Sequence, residues 1–175
     1  MALWFLILLP LFLDVGESQS TYQINQTDLQ TAIADMRAKS YHGFVMLLKM
    51  LNSTPNSLQT TDVTFLMPND EKLSQLTLSP DHLRDFILSH SIPTALVFGN
   101  LLHFPNGTLV PSTLPGRMLS ITNTGKSGMF VNNARIVSSN VCVNSLMKCH
   151  GISSAITFNS SLHSLESTAS PKTHG

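Results

Sequence analysis

The chain has 175 residues, with Lys+Arg 10 against Asp+Glu 10, a formal net charge of zero and 42% hydrophobic residues. That length suits one domain with short appendages, and the apolar share suffices for one core. With only 11% charged residues and no net charge, the chain lacks an electrostatic footprint for a phosphate backbone, which argues against nucleic acid as a partner. So neutral a surface has little self-repulsion to keep it soluble, and attached glycans would supply the missing hydration.

Residues 3–13 are an uninterrupted apolar run ended by Asp14. As a helix the run would cover only about half of a bilayer core, too little to span it. It has the length of a signal-peptide h-region, followed by small residues (Gly16, Ser18, Ser20) suited to a cleavage site. Residues 1–20 are therefore expected to be a signal peptide cleaved after Ser18 or Ser20. The n-region carries only the α-amino charge of Met1, and a buried N-terminal helix is the alternative.

Thr27 to Gln30 has the capping-box pattern, and Leu29, Ile33 and Met36 recur at helical spacing, predicting an amphipathic helix over 28–39. Tyr41, His42 and Gly43 punctuate it. Phe44, Leu47, Leu48 and Leu51 mark a second helix ending near Asn52, with Met46 and Met50 read as adaptable core filler. A polar loop, 53–61, precedes a short strand from Asp62 to Met67 that Pro68 stops. Asn69 or Asp70 is placed to cap a brief helix through Leu76, where the negative charge of Asp70 and Glu71 meets the helix dipole. Ser79 followed by Pro80 is a helix start, with Leu83, Phe86, Ile87 and His90 on one face and Pro93 as terminator.

From Phe104 onward turn residues dominate. Asn106-Gly107 is a turn signal, and Gly125 and Gly128 bracket a hairpin between Met118–Ile121 and Met129–Val131. Asn132-Asn133 turns the chain again before three predicted strands, 135–137, 140–143 and 152–158. Helices first and hairpins later predict an α+β class with a mostly antiparallel sheet. No repeat is visible, and residues 160–175 carry no sustained apolar pattern, so a disordered tail is expected.

Asn25, Asn52, Asn106 and Asn159 each open an N-glycosylation acceptor pattern and fall in segments read as exposed; at least two are expected to be occupied. Cys142 and Cys149 are the only cysteines. In an oxidising compartment such a pair points to a disulfide, worth roughly 2–3 kcal/mol for so short a loop. Two buried thiols are the alternative, as is a partial metal set of Cys142, Cys149 and His150. That set is one ligand short of a structural zinc site, so no metal is assigned. None of the seven histidines pairs with another at metal-ligand spacing. There is no Gly-x-Ser-x-Gly elbow and no Gly-rich phosphate loop. His90, on the apolar face of a helix, is the sharpest catalytic candidate among them but is read as a buried imidazole fixing a helix-to-loop junction. Phe98, Phe104 and Phe130 are read as core, with the lining of a groove as the alternative. No catalytic residue and no cofactor is assigned.

The segment Val63 to Asp70, with Phe65, Pro68 and Asn69, resembles the first signature of fasciclin domains. Leu83 to Pro93 looks like the family's central helix, with His90 shortly before a proline. Phe104 to Leu109 is similar to the turn before the family's hairpins. Val131 to Val137 together with Cys149 to Ile156, including His150 and Gly151, resembles its second signature. The resemblance runs from about Gln26 to Phe158. Ser-Ile-Pro after His90 and Cys-His-Gly near the end resemble the plant branch, the fasciclin-like arabinogalactan proteins. It implies a β-sandwich or wedge flanked by N-terminal and central helices, a domain over 21–159, and an adhesion or matrix-interaction role in the cell wall or apoplast. Partners would be extracellular-matrix or cell-wall polysaccharides and glycoproteins. A glycan- or lipid-binding domain is the second reading and a secreted hydrolase the third.

Some positions depart from the family pattern. Ser89 stands where the family often has Tyr, and Lys72 and Leu73 replace a small-aromatic pair. Thr54-Pro55, Ser79-Pro80 and Ser170-Pro171 are isolated, so no arabinogalactan run is expected. The last residues lack a hydrophobic anchor signal, so free secretion without a stable membrane anchor is expected.

Overall fold

The computed structural model describes residues 25–53 and 62–158. The expected signal peptide (1–20), most of the polar loop 53–61, Asn159 and the expected tail (160–175) lie outside the described residues.

The first helix, α1 (Gln26–Ala38), is capped by Asn25 and not by Thr27. The Asn25 side-chain oxygen accepts from the N–H of Thr27 at 2.9 Å and of Asp28 at 3.4 Å. A short amide side chain reaches the first free N–H groups well, and with Asn25 in that role Thr27 falls inside the first turn. Leu29, Ala32, Ile33 and Met36 are buried along one face. The second helix, α2 (His42–Asn52), buries Phe44, Val45, Leu48 and Leu51. Met46 and Met50, expected in the core, are instead 63% and 47% exposed. Val45 takes the inward position beside Phe44 and Leu48, which turns the two methionines, one helical turn apart, outward together.

After β1 (Val63–Pro68) come α3 (Asp70–Ser74), a 3-10 turn over Pro80–His82, α4 (Leu83–Ser89) and β2 (Ser91–Ile92). The brief helix α3 therefore stops short of Leu76. Ser79 occupies the cap position before Pro80, yet its hydroxyl meets the His82 ring at 2.8 Å instead of a backbone N–H. The helix carrying Leu83 and Ile87 ends at Ser89, and β2 intervenes before Pro93. Then follow α5 (Phe98–Leu102), which the pattern analysis did not foresee, β3 (Thr108–Pro111), β4 (Met118–Asn123), β5 (Met129–Val131), β6 (Ala134–Val143) and β7 (Met147–Ile152).

The strands form one seven-stranded order, β2-β1-β7-β6-β5-β4-β3. Every neighbouring pair is antiparallel except β1 and β7, which run parallel. The α+β class with a mostly antiparallel wedge is therefore the observed architecture. Two strand assignments change. Residues 135–137 and 140–143 belong to the single strand β6, which shifts register between Ile136 and Ser138 and again between Ser138 and Cys142, the second shift spanning Asn140 with φ 52°. The final strand is Met147–Ile152 and not 152–158; beyond it, Ser153 keeps one backbone bond to the Arg135 carbonyl, and residues 154–157 bond to side chains instead of a ladder.

β1 is buried along its full length, so its residues read as a continuous apolar run with no alternation. Successive side chains still point to opposite faces. Val63, Phe65 and Met67 enter a core with α1, α2 and α4, while Leu66 enters a second core with Leu101, Leu119, Ile121, Val131 and Ile152.

Candidate functional site

The residues after β1 tie three elements together. Asn69 caps α3 by accepting from the Lys72 N–H at 2.9 Å. The Asp70 carboxylate then accepts from His42 N–H at 3.2 Å and Gly43 N–H at 2.8 Å. These are the first free donors of α2, whose own cap residue Tyr41 offers no side-chain bond. A carboxylate there satisfies orphan donors and meets the positive end of the helix dipole. Phe65, fully buried, packs edge-on against Phe44 with ring centroids 5.9 Å apart.

The Tyr41 ring fills the space beside Gly151, so closely that a Cβ at 151 would collide with its hydroxyl and ring carbon and press on the Ser138 Cβ. Burial pushes the Tyr41 hydroxyl pKa up, against a lowering hydrogen bond with Ser138. Gly151 is required for space, and its register opposite Ser138 on β6 and Met67 on β1 fixes that space at the sheet centre.

His90 ends α4 and is 1% exposed. Its Nδ1 lies 2.8 Å from the Phe86 carbonyl oxygen, and its Nε2 accepts from the Ile156 N–H at 2.9 Å. His150 on β7 is fully buried, accepts from the Asn140 N–H on Nδ1 at 3.1 Å, and places Nε2 2.9 Å from the Leu96 carbonyl oxygen. Burial drives the His90 pKa down to about 4, opposed by the bond to Phe86. It lowers that of His150 too, opposed by the bond to Leu96. Both rings are neutral at pH 7. Ser89 Oγ is 3.1 Å from His90 Nδ1, but that nitrogen already faces the Phe86 carbonyl and the far nitrogen is occupied. A nucleophile-base pair needs a free lone pair and an approach for substrate, and this pair has neither. Pro93 lies exposed beyond β2, outside this hydrogen-bonded set.

Cys142 and Cys149 stand opposite each other on β6 and β7, joined as a disulfide with Cα atoms 4.8 Å apart and both buried. Among the described residues no group of three or more His, Cys, Asp or Glu is gathered to hold a metal ion. An open cleft of about 320 Å³ lies between α2 and α3, lined by Gly43, Met46, Leu47, Leu73, Leu76 and Leu78, with Asp70 and Ser74 at its polar side.

Comparison with known proteins follows the same segments. The model of the Fasciclin domain matches residues 39–158. The chain belongs to the fasciclin domain family. It is 28% identical over 99 residues to the fasciclin-like arabinogalactan protein CTB11 of Cercospora beticola, covering 54% of this chain and 26% of that protein. The chain thus spans about a quarter of the length of that curated relative. A solved FAS1 domain pair from the insect cell adhesion molecule fasciclin I is similar with a TM-score of 0.48 and 15% identity, over 75% of this chain and 45% of that one. Fasciclin domains are known from cell-adhesion proteins and as adhesion domains without enzymatic activity.

Within this fasciclin domain, Phe65, Pro68, Asn69, His90, His150 and Gly151 cluster around β1 and β7. The sequons are spread over the outside. Asn25 and Asn106 are exposed, and their side-chain oxygens are in use, Asn106 accepting from the Asn123 N–H at 2.6 Å. Asn52 is half-buried and pairs its amide with Gln26 at 3.4–3.5 Å. Several structurally important residues escaped the sequence reading. Thr64, fully buried, donates to the Thr94 carbonyl at 2.6 Å and accepts from the Leu96 N–H at 2.8 Å. Asn140 accepts from the Phe98 N–H at 2.9 Å and so caps α5. Asn132 and Asn133, read only as a turn, bind the segment 154–157. Their sequence signal is polarity next to a turn, which does not reveal a distant partner.

Proposed function

We propose that this fasciclin domain is a secreted extracellular adhesion or matrix-interaction module of the plant cell-wall kind, with a signal peptide over 1–20 and glycans on its sequons. The observation that carries the reading is family membership across 39–158. The apolar run 3–13, the disulfide and the surface position of Asn25 and Asn106 agree with an oxidising, glycosylating route. Wall polysaccharides and glycoproteins are the proposed partners, bound weakly and multiplied by surface density.

The cleft between α2 and α3 favours a second reading, an apolar or lipid-like ligand held among Met46, Leu47, Leu73, Leu76 and Leu78. Glycan binding through stacked aromatics has less support, because the exposed large apolar side chains among the described residues are Met, Leu and Val.

Pull-down of the secreted protein, glycosylated and enzymatically deglycosylated, on a panel of wall polymers tests the first reading. Retention of either form on a matrix polymer is the expected result. No retention of either form, with saturable uptake of a fluorescent fatty acid that Leu73→Ala abolishes, would replace adhesion with the ligand-binding reading.

A further inference from the structure

His90 and His150 hold backbone groups in one chemically exposed respect. A carbonyl oxygen only accepts and an amide N–H only donates, so the partners fix both tautomers: hydrogen on Nδ1 of His90, facing the Phe86 carbonyl, and on Nε2 of His150, facing the Leu96 carbonyl. The remaining nitrogen of each ring uses its lone pair to accept an N–H, from Ile156 at 2.9 Å and from Asn140 at 3.1 Å. A proton taken from solvent onto that lone pair would face an N–H, donor against donor, in a buried site where an unpaired polar group is costly.

What these two N–H groups belong to gives the arrangement its consequence. Ile156 is the buried residue of segment 153–158. A backbone bond from the Ser153 N–H to the Arg135 carbonyl ties the start of the segment to β6. Its other polar anchors are exposed side-chain bonds: Asn133 to Ser154, Ala155 and Thr157, Asn132 to Thr157, and the Ser153 hydroxyl to Arg135. Asn140 is the positive-φ residue of β6, and its own side chain caps α5. The surrounding elements bring no charge to either ring. Arg84 and Asp85 on α4 and Arg135 on β6 are exposed, and Lys148 on β7 donates to the Asn144 carbonyl. Arg117, ahead of β4, lies over the Phe158 ring at 5.4 Å. β1, β2 and α5 contribute no ionisable side chain within their spans.

We propose that His90 and His150 form an acid-released latch, in which protonation of each ring expels the N–H it holds, freeing segment 153–158 from α4 and loosening the β6 bulge from β7 while the core beneath α1 and α2 stays closed. The proposal does not depend on the adhesion reading. The proton comes from solvent and adds to the imidazole lone pair; no covalent bond of the chain breaks.

The sign follows from burial. A freed His90 titrates near 6.5 and the latched one near 4, so the latch holds fully above pH 6.5 and weakens as pH falls toward 4. The test is NMR on the full chain, isotope-labelled and with its disulfide intact, between pH 7.5 and 5. Ring nitrogen shifts at pH 7.5 should report hydrogen on Nδ1 of His90 and on Nε2 of His150. The protection factor of the Ile156 amide should drop about 30-fold by pH 5, the ratio set by the two titration points, while β1 amides, which exchange only on global unfolding, stay better protected than Ile156 at every pH. His90→Gln should remove the pH step at Ile156 and leave that at Asn140. Interchanged tautomers, an Ile156 protection factor constant across the range, or an Ile156 protection factor equal to that of β1 would each overturn the latch. If His90→Gln does not fold, the wild-type titration alone decides.

Discussion

On the face of β1 toward the helices, Val63, Phe65 and Met67 meet Leu29, Met36, Phe44 and Leu48, with the buried Cys142–Cys149 disulfide in the same cluster. On the opposite face, Leu66 meets the hairpins β3 to β5, and the closing segment is fastened by Asn132, Asn133 and His90. The first region is held by carbon packing, which has no direction and tolerates local breathing. The second relies more on directional bonds, several at exposed positions where each contributes about 1 kcal/mol and water competes for the partners. Two regions sharing one strand should therefore respond differently to the same insult.

The largest expected effect is on the helical face. Phe65→Ala should destabilise the domain by about 3–5 kcal/mol, measured by denaturant unfolding, because it leaves a cavity against Phe44 that rigid neighbours cannot fill. Loss of the disulfide by Cys142→Ala with Cys149→Ala should cost about 2–3 kcal/mol through the freed unfolded chain. A variant pair as stable as wild type would remove the cross-link from that face's account. Gly151→Ala should cost about 1–3 kcal/mol by forcing Tyr41 and Ser138 aside, with part of the loss recovered in the double variant with Tyr41→Phe. Smallest, Asn133→Ala should cost about 1 kcal/mol globally yet raise proteolysis selectively in 153–158. Equal cleavage throughout the chain would erase the contrast between the faces.

The sequence made the helical face legible because its evidence is local. Apolar stripes in α1 and α2, the Pro68 stop and the Asn69 cap all act within a few residues. Met46 and Met50 were misplaced because composition does not say which side of a helix turns inward when Val45 competes for the position. The hairpin β4–β5 was readable from Gly125 and Gly128. Residues 153–158 were not, since their partners Asn132, Asn133 and His90 are far away in the chain, and a side chain that replaces a ladder bond leaves no periodic trace. The motif residues Phe65, His90, His150 and Gly151 were found by resemblance, but their roles needed distances. Asp70 was read as charge at its own helix start, whereas it caps a helix that begins at His42.

Hydrogen exchange of the full chain at pH 7, followed by mass spectrometry, tests the difference between the two faces most directly. β1, β7 and the inner residues of α2 should show the slowest exchange, set by global unfolding, and 153–158 should exchange through local opening well before them. Protection of 153–158 equal to that of β1 and β7 would contradict the account, because the closing segment would then be part of the same cooperative unit.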